Sequence, residues 1–356
     1  MRLKSLSSIV ASSFLALSLN GCFSFVMKGT DAQKQVSRPP EVVDYYSYRR
    51  EKITPSSEEK TEENEKYTTT RIKFKSSMHT TDKNDTTTVD YYDSKFNGKT
   101  PLIIISPILG GSNTESKIFA KYFAERGFSC AIVHRPEDRF PEIKEDEDNS
   151  NYMSDLENIT KQSIIDTRRT IDLLENLPDI DSEKIGSFGI SMGAIKNSIL
   201  AGVDSRLKVN VFVMGGADME YILSHSKEEK VIEEVEHASK YVGKDKFFED
   251  LHEKLISDPK NFAQYIDDSN TLMYISLFDT VVPVESQKKL KNIIGNPSVS
   301  YLLSGHYSAI LYILPPWRYI QKSSYNFFKN RFDKIKPRRV SKNLRVCLGN
   351  GSEEFY

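Results

Sequence analysis

The chain has 356 residues, with 49 Lys and Arg against 50 Asp and Glu for a formal net charge of −1. A near-neutral balance excludes the basic face that a nucleic-acid partner requires. The length exceeds a usual single domain, but residues outside about 67–335 read as additions to one domain. The three cysteines and six histidines have no metal-ligand spacing, so neither a metal nor a cofactor is expected.

Arg2 and Lys4 give a short positive start, and Ile9 to Leu19 an apolar stretch too short to span a bilayer as a helix; Leu19-Asn20-Gly21-Cys22 closes it. This resembles a bacterial lipoprotein signal. The resemblance implies removal of residues 1–21 and acylation of the Cys22 thiol, with palmitate-like chains holding the mature protein on the cell envelope. Because Phe23 rather than an aspartate follows Cys22, it implies the outer membrane where the source has two. A plain secretory signal or a short uncleaved anchor is the alternative. Residues 22–66, rich in Ser, Thr, Glu and Lys with Pro39-Pro40 and Pro55, read as a flexible tether.

At Tyr67 the pattern changes. Ile72 and Phe74 alternate with Arg71, Lys73 and Lys75, and Val89 and Tyr91 repeat the alternation, which predicts two edge strands. Residues 100–106 form a continuous apolar run suited to a central parallel strand. Pro107-Ile108-Leu109-Gly110-Gly111-Ser112 follows as a tight turn before a helix from Glu115 to Arg126. Ser129 to Val133 reads as another buried strand, with Cys130 a buried free thiol rather than a disulfide partner for Cys347. Glu142 to Asp148 reads as a solvated acidic loop. A helix from Ser163 to Leu177, with Ile164, Ile171 and Leu174 on one face, is a crossover between parallel strands.

The pentapeptide Gly189-Ile190-Ser191-Met192-Gly193 is preceded by a short apolar strand from Ile185 and followed by apolar residues at helical spacing. Strand, sharp turn and helix is the context in which a serine becomes a nucleophile, because the turn strains it and glycines let backbone approach. A serine hydroxyl also needs a base, an acid to orient the base, and donors for an oxyanion. The Met192 amide, at a helix start, can point at developing negative charge, and the Leu109 amide in the earlier glycine turn is the second candidate donor. A bare glycine-rich turn without chemistry is the alternative.

For the acid, Asp279 sits just past the buried strand 271–277, at the carboxyl edge of a parallel sheet; Asp218, after the strand 209–214 and Gly215-Gly216, is the competing candidate. His306 lies in a loop between the strand-like residues 299–303 and an apolar helix, where it can meet both Ser191 and Asp279, and its ordinary pKa suits proton transfer. His134 ends a strand and reads as structural. Residues 219–268, with Val231, Val235, Ala238 and Val242 at helical spacing, form an insert placed where a lid would cover the serine. Pro315-Pro316 breaks the final apolar helix, which rules out a second membrane span there, and residues 336–356 form a polar tail with Lys336, Arg338 and Arg339.

From about Lys99 to Asp333 the chain resembles an α/β-hydrolase, a mostly parallel central sheet with helices on both faces and a helical lid insert, with its order Ser, Asp, His. Asp181-Ser182-Glu183-Lys184-Ile185-Gly186 resembles the dienelactone hydrolase and prolyl oligopeptidase-like branch. The resemblance implies a serine hydrolase acting through an acyl-enzyme on Ser191 upon an ester or thioester of a small-molecule or lipid-like substrate. It departs from many relatives in Pro107-Ile108, where they have His-Gly, and in Gly193-Ala194, where they have two glycines. An aminopeptidase or acyltransferase on the same residues, and a non-catalytic surface binding protein on this scaffold, are the other readings.

Overall fold

The computed structural model describes residues 24–34, 36–110, 113–137, 139–143 and 149–335. Cys22 and the expected signal, Gly111-Ser112, most of the acidic loop, and the tail with Cys347 lie outside the described residues. The described chain opens with a short strand, β1 (Ser24–Met27), a helix α1 (Pro40–Tyr45), and three strands, β2 (Ser57–Glu63), β3 (Tyr67–Lys75) and β4 (Thr86–Ser94). The central run forms β5 (Thr100–Ser106), then α2 (Thr114–Ala124), β6 (Ser129–Val133), the long α3 (Tyr152–Leu174) and β7 (Ile180–Ile190). Then come α4 (Met192–Val203), β8 (Leu207–Val213), the insert helices α5 (Met219–His225), α6 (Glu229–Val242), α7 (Lys244–Lys254) and α8 (Pro259–Phe262), and finally β9 (Thr271–Ser276), α9 (Val284–Ile294), β10 (Ser298–Leu302) and α10 (Tyr319–Phe332).

These strands make one ten-stranded sheet in the order β1-β10-β9-β8-β7-β5-β6-β4-β3-β2. From β10 across to β6 the neighbours are parallel, while β1 and the group β4, β3, β2 add antiparallel edges. The apolar run of β5 is explained by burial on both faces. Leu102 and Ile104 enter the core under α3, α4 and α9, whereas Ile103 and Ile105 face Phe119, Phe123 and Phe328 of α2 and α10. The chain leaves β5 toward β6 on one side and returns to β7 on the other, so the carboxyl ends of β5 and β7 flank the crevice where such sheets bind ligands.

The segment expected as a tether differs from that expectation. Tyr46 is fully buried, and its hydroxyl shares a 2.6 Å hydrogen bond with Ser257. Tyr45 and Tyr48 donate to Glu157 and Asp172 of α3 at 2.6 and 2.7 Å, and Arg38 donates to the Gly202 carbonyl at 2.6 Å. The reason is aromatic burial with each hydroxyl satisfied, which outweighs a polar average composition. The outermost strand β2 was missed for a related reason: SEEKTEE is charged along its exposed length, as suits an unpaired edge, and so reads as linker. The two strands expected around Ile72 and Phe74 and around Val89 and Tyr91 form β3 and β4 and pair in register, but β2 rather than β3 forms that edge. The crossover helix begins earlier than expected, at Tyr152, and the run after His306 forms a short 3-10 turn, Ser308–Tyr312, instead of a helix. Cys130 is a buried free thiol.

One charge sits uneasily in this packing. Burial pushes the Lys196 ammonium on α4 down from 10.5 to about 8, with Asp166 of α3 opposing that shift. The unfolded chain therefore keeps this proton to higher pH than the folded one, and the native state gains stability as pH rises from about 8 toward about 10.5. We expect the unfolding free energy of Lys196→Met minus that of the wild type to fall across that interval in urea melts. A difference that stays constant there would mean that Lys196 titrates as an exposed lysine.

Candidate active site

Ser191 stands between β7 and α4 with φ 54° and ψ −123°, a strained conformation for a residue with a β-carbon. The strain is held from both sides. The Ser191 amide donates to the Val213 carbonyl of β8 at 2.8 Å, and a β-carbon placed on Gly193 would lie 2.0 Å from the Ser106 carbonyl oxygen at the end of β5. A β-carbon on Gly189 would meet the Gly193 carbonyl carbon at 2.4 Å. Both glycines are thus steric requirements of the turn. Beneath it, Ser106 donates to Asn197 at 2.7 Å and Asn197 donates to the Phe188 carbonyl at 2.8 Å, which ties β5, β7 and α4 together.

The first helical donors of α4 are Ala194 and Ile195, both to the Ser191 carbonyl at 2.9 and 3.0 Å. The Met192 amide stands ahead of them at the helix N-terminus, where unsatisfied donors collect. Leu109 lies three residues beyond β5, and its carbonyl accepts from Arg139 at 2.7 Å, which holds the turn. Arg139 carried no signal in the sequence, because its partner is a backbone oxygen thirty residues away.

Asp279 is buried after β9 and accepts four hydrogen bonds. The Val281 and Val282 amides donate to one oxygen at 2.9 and 3.0 Å, and Gln287 of α9 donates to the other at 3.0 Å. That second oxygen also meets Nδ1 of His306 at 2.8 Å. Gln287 is fully buried, and its own oxygen accepts from the Ser276 amide at 3.1 Å, so it locks the end of β9 to the carboxylate. Sequence reading missed it, since a glutamine on an amphipathic helix carries no distinguishing pattern. The His306 loop is fixed in turn by Ser276, which donates to the Ser304 carbonyl at 2.6 Å. With a carboxylate on Nδ1, the imidazole's Nε2 is the nitrogen available for proton transfer.

The Ser191 turn and the Asp279 loop meet through packing. Met192 lies against Ile195, Ile222 and Val282, the last being one of the residues that hold Asp279. Among the described residues no hydrogen bond joins the Ser191 hydroxyl to His306. Asp218 is engaged elsewhere. It caps α5 through the Tyr221 amide at 3.4 Å and pairs with Lys289, and although burial opposes it, that ammonium holds the carboxyl below its ordinary range. His134 binds Asp90 at 3.0 Å. A polar cavity of about 100 Å³ beside Thr87, His134, Gln162 and Asp166 includes none of the candidate residues in its lining.

The insert is pinned at both ends and to the loops of the site. Asp258 accepts the Asp218 and Met219 amides at 3.0 and 2.7 Å, closing its base. Lys227 donates to the Thr280 carbonyl at 2.8 Å, next to Asp279, and Tyr307 donates to Glu228 at 2.5 Å, next to His306. The Glu228 hydrogen bond, followed by burial, pushes the Tyr307 phenol up to about 12. The helices themselves pack through Ala238, Phe247 and Leu251 on Tyr152 and Met153 at the start of α3. No group of acidic, histidine and cysteine side chains that could hold a metal occurs among the described residues.

No protein-family model and no curated protein matches the chain. Solved structures do. An acetyl xylan esterase from Paenibacillus sp. R4 superposes with a TM-score of 0.63 at 14% identity, over 85% of this chain and 98% of that one. Acetyl xylan esterase 1 from Thermoanaerobacterium sp. JW/SL YS485 gives 0.62 at 16% identity, over 86% and 96%. A glucuronoyl esterase from Solibacter usitatus gives 0.52 at 12% identity, over 82% and 92%. At such identities the likeness concerns the backbone, and together with the mostly parallel sheet it makes this an α/β-hydrolase fold.

Proposed function

We propose that the chain is a lipid-anchored serine hydrolase that cleaves a carboxylic ester. The observation that carries this reading is the buried Asp279 bound to Nδ1 of His306 at the same sheet edge as the strained Ser191 turn. In the proposed reaction His306 Nε2 takes the Ser191 proton as Oγ attacks the carbonyl, and Asp279 stabilises the resulting imidazolium. The Met192 and Leu109 amides receive the oxyanion, His306 returns its proton to the departing alcohol, and water activated by His306 releases the acyl group. Three structural neighbours named as esterases favour an ester over an amide as the bond cleaved. Acylation of Cys22 would set the enzyme on the cell envelope, and the thiol stands two residues before β1.

Ser191→Ala should lose at least about ten-thousand-fold in turnover of a chromogenic short-chain ester while its melting temperature stays close to that of the wild type. Comparable turnover in that variant would assign the chemistry to another nucleophile. Gln287 positions the acid rather than touching substrate. A hydrogen bond to a charged group contributes about 1.5–3 kcal/mol, so Gln287→Leu should lower kcat roughly ten- to a hundredfold with KM nearly unchanged. An unchanged kcat in a folded variant would show that the Asp279 environment does not serve the reaction.

A further inference from the structure

The large apolar side chains left exposed are not scattered. Of twelve among the described residues, nine belong to β1, the loops after β9 and β10, and the turn before α10. Contacts place several of them along one edge. β1 is the free edge of the sheet, with Phe25 opposite Tyr301 and Val26 opposite Ser300. Opposed residues share a face. Phe25 stacks on Tyr301 at 4.7 Å on one face, while on the other Val26 lies beside Ser300, whose hydroxyl meets that of Tyr319 at 2.9 Å. The Tyr319 ring packs on Tyr312, and the Tyr312 hydroxyl is hydrogen-bonded by the Leu303 backbone. Val26 thus shares its face of the edge with Leu303 and with the turn 308–319, in which Leu311 and Trp317 are exposed along with Arg318, while Phe25 lies on the other face of the same edge. Phe278 continues the rim toward the site, its amide bonded to the Ser304 carbonyl at 2.9 Å.

We propose that this rim is a bilayer-contact face that seats the sheet edge carrying His306 against anionic membrane lipid. Folded proteins in water seldom gather so many large exposed apolar groups at one edge, and tryptophan with arginine beside it suits the headgroup boundary. The direction of β1 supplies an independent reason. It runs antiparallel to β10 with Ser24 opposite Leu302, so Ser24, the first described residue, lies at the carboxyl edge of the sheet with Asp279 and His306, and residue 22 can be no farther from it than about 7 Å of chain. The last described helix ends toward the opposite edge, since Phe332 at the end of α10 packs on Phe128 just before β6. The proposal rests on the anchored reading only for its orientation, because the face would bind lipid without an acyl group.

Trp317 is the only tryptophan in the chain and reports on this face directly. The test uses the mature chain from residue 22 carrying Cys22→Ser, which has neither signal nor acyl group, with vesicles of phosphatidylethanolamine and phosphatidylglycerol, some carrying brominated acyl chains. We expect Trp317 emission to shift to the blue and to be quenched by the brominated lipid. In the same chain Val26→Asp with Leu311→Asp should abolish the quenching and weaken partitioning at least about tenfold, with hydrolysis of a soluble ester unchanged. Adding Ser191→Ala instead should leave vesicle binding intact, which separates this face from the catalytic reading. Unaltered Trp317 emission in the parent, or quenching retained by a folded Asp variant, would overturn the proposal. So would self-association through β1 with no response to lipid.

Discussion

The structure turns on a contact with no slack: the first turn of α4 is pressed against the end of β5 so closely that a single β-carbon at Gly193 would collide with the Ser106 carbonyl. That approach is possible only because β5 and β7 are adjacent and parallel, with Ser106 paired to Gly189 in the ladder. The chain leaving β7 must therefore reverse within one residue, and Ser191 absorbs the reversal in a positive φ that an unconstrained serine avoids. Strain of this kind persists only where the surroundings over-determine it. Here Val213 holds the serine amide, and Asn197 fastens the helix to the strand below.

The acid loop follows a different rule. A buried carboxylate is tolerable when its lone pairs are filled, and Asp279 has two backbone amides, one side-chain amide and one imidazole to fill them. The same donors dictate its orientation, so electrostatic satisfaction and the aim of His306 are one arrangement. The insert adds a mechanical link, because its first loop grips the residues that follow Asp279 and His306, at Thr280 and Tyr307. A displacement of the insert would be felt by the acid and the histidine together.

Much of this was legible in the order of residues. Strands buried on both faces announce themselves as unbroken apolar runs, and the glycines around Ser191 mark a turn whose geometry admits nothing larger. The competing acid could be separated from Asp279 only in three dimensions, since Asp218 is drawn away by Lys289, seventy-one positions distant. Gln287 and Arg139 were illegible because their partners are set by tertiary proximity. The docking of residues 38–50 was hidden by averaging: three tyrosines among charged and polar neighbours suggest a linker, yet each hydroxyl finds a partner on α3 or at Ser257. Edge strands were the remaining blind spot, because the charge on β2 and the brevity of β1 erase the alternation that marks a half-buried strand.

The central claim is that Ser191, His306 and Asp279 act as one unit over the sheet edge. A crystal structure of the protein inhibited with a fluorophosphonate tests it most directly. The account predicts phosphorus bonded to Ser191 Oγ, its oxygen facing the Met192 amide, and His306 within hydrogen-bond reach of the adduct while Nδ1 stays on Asp279. Modification at another residue, or an adduct on Ser191 from which the imidazole is turned away, would contradict it.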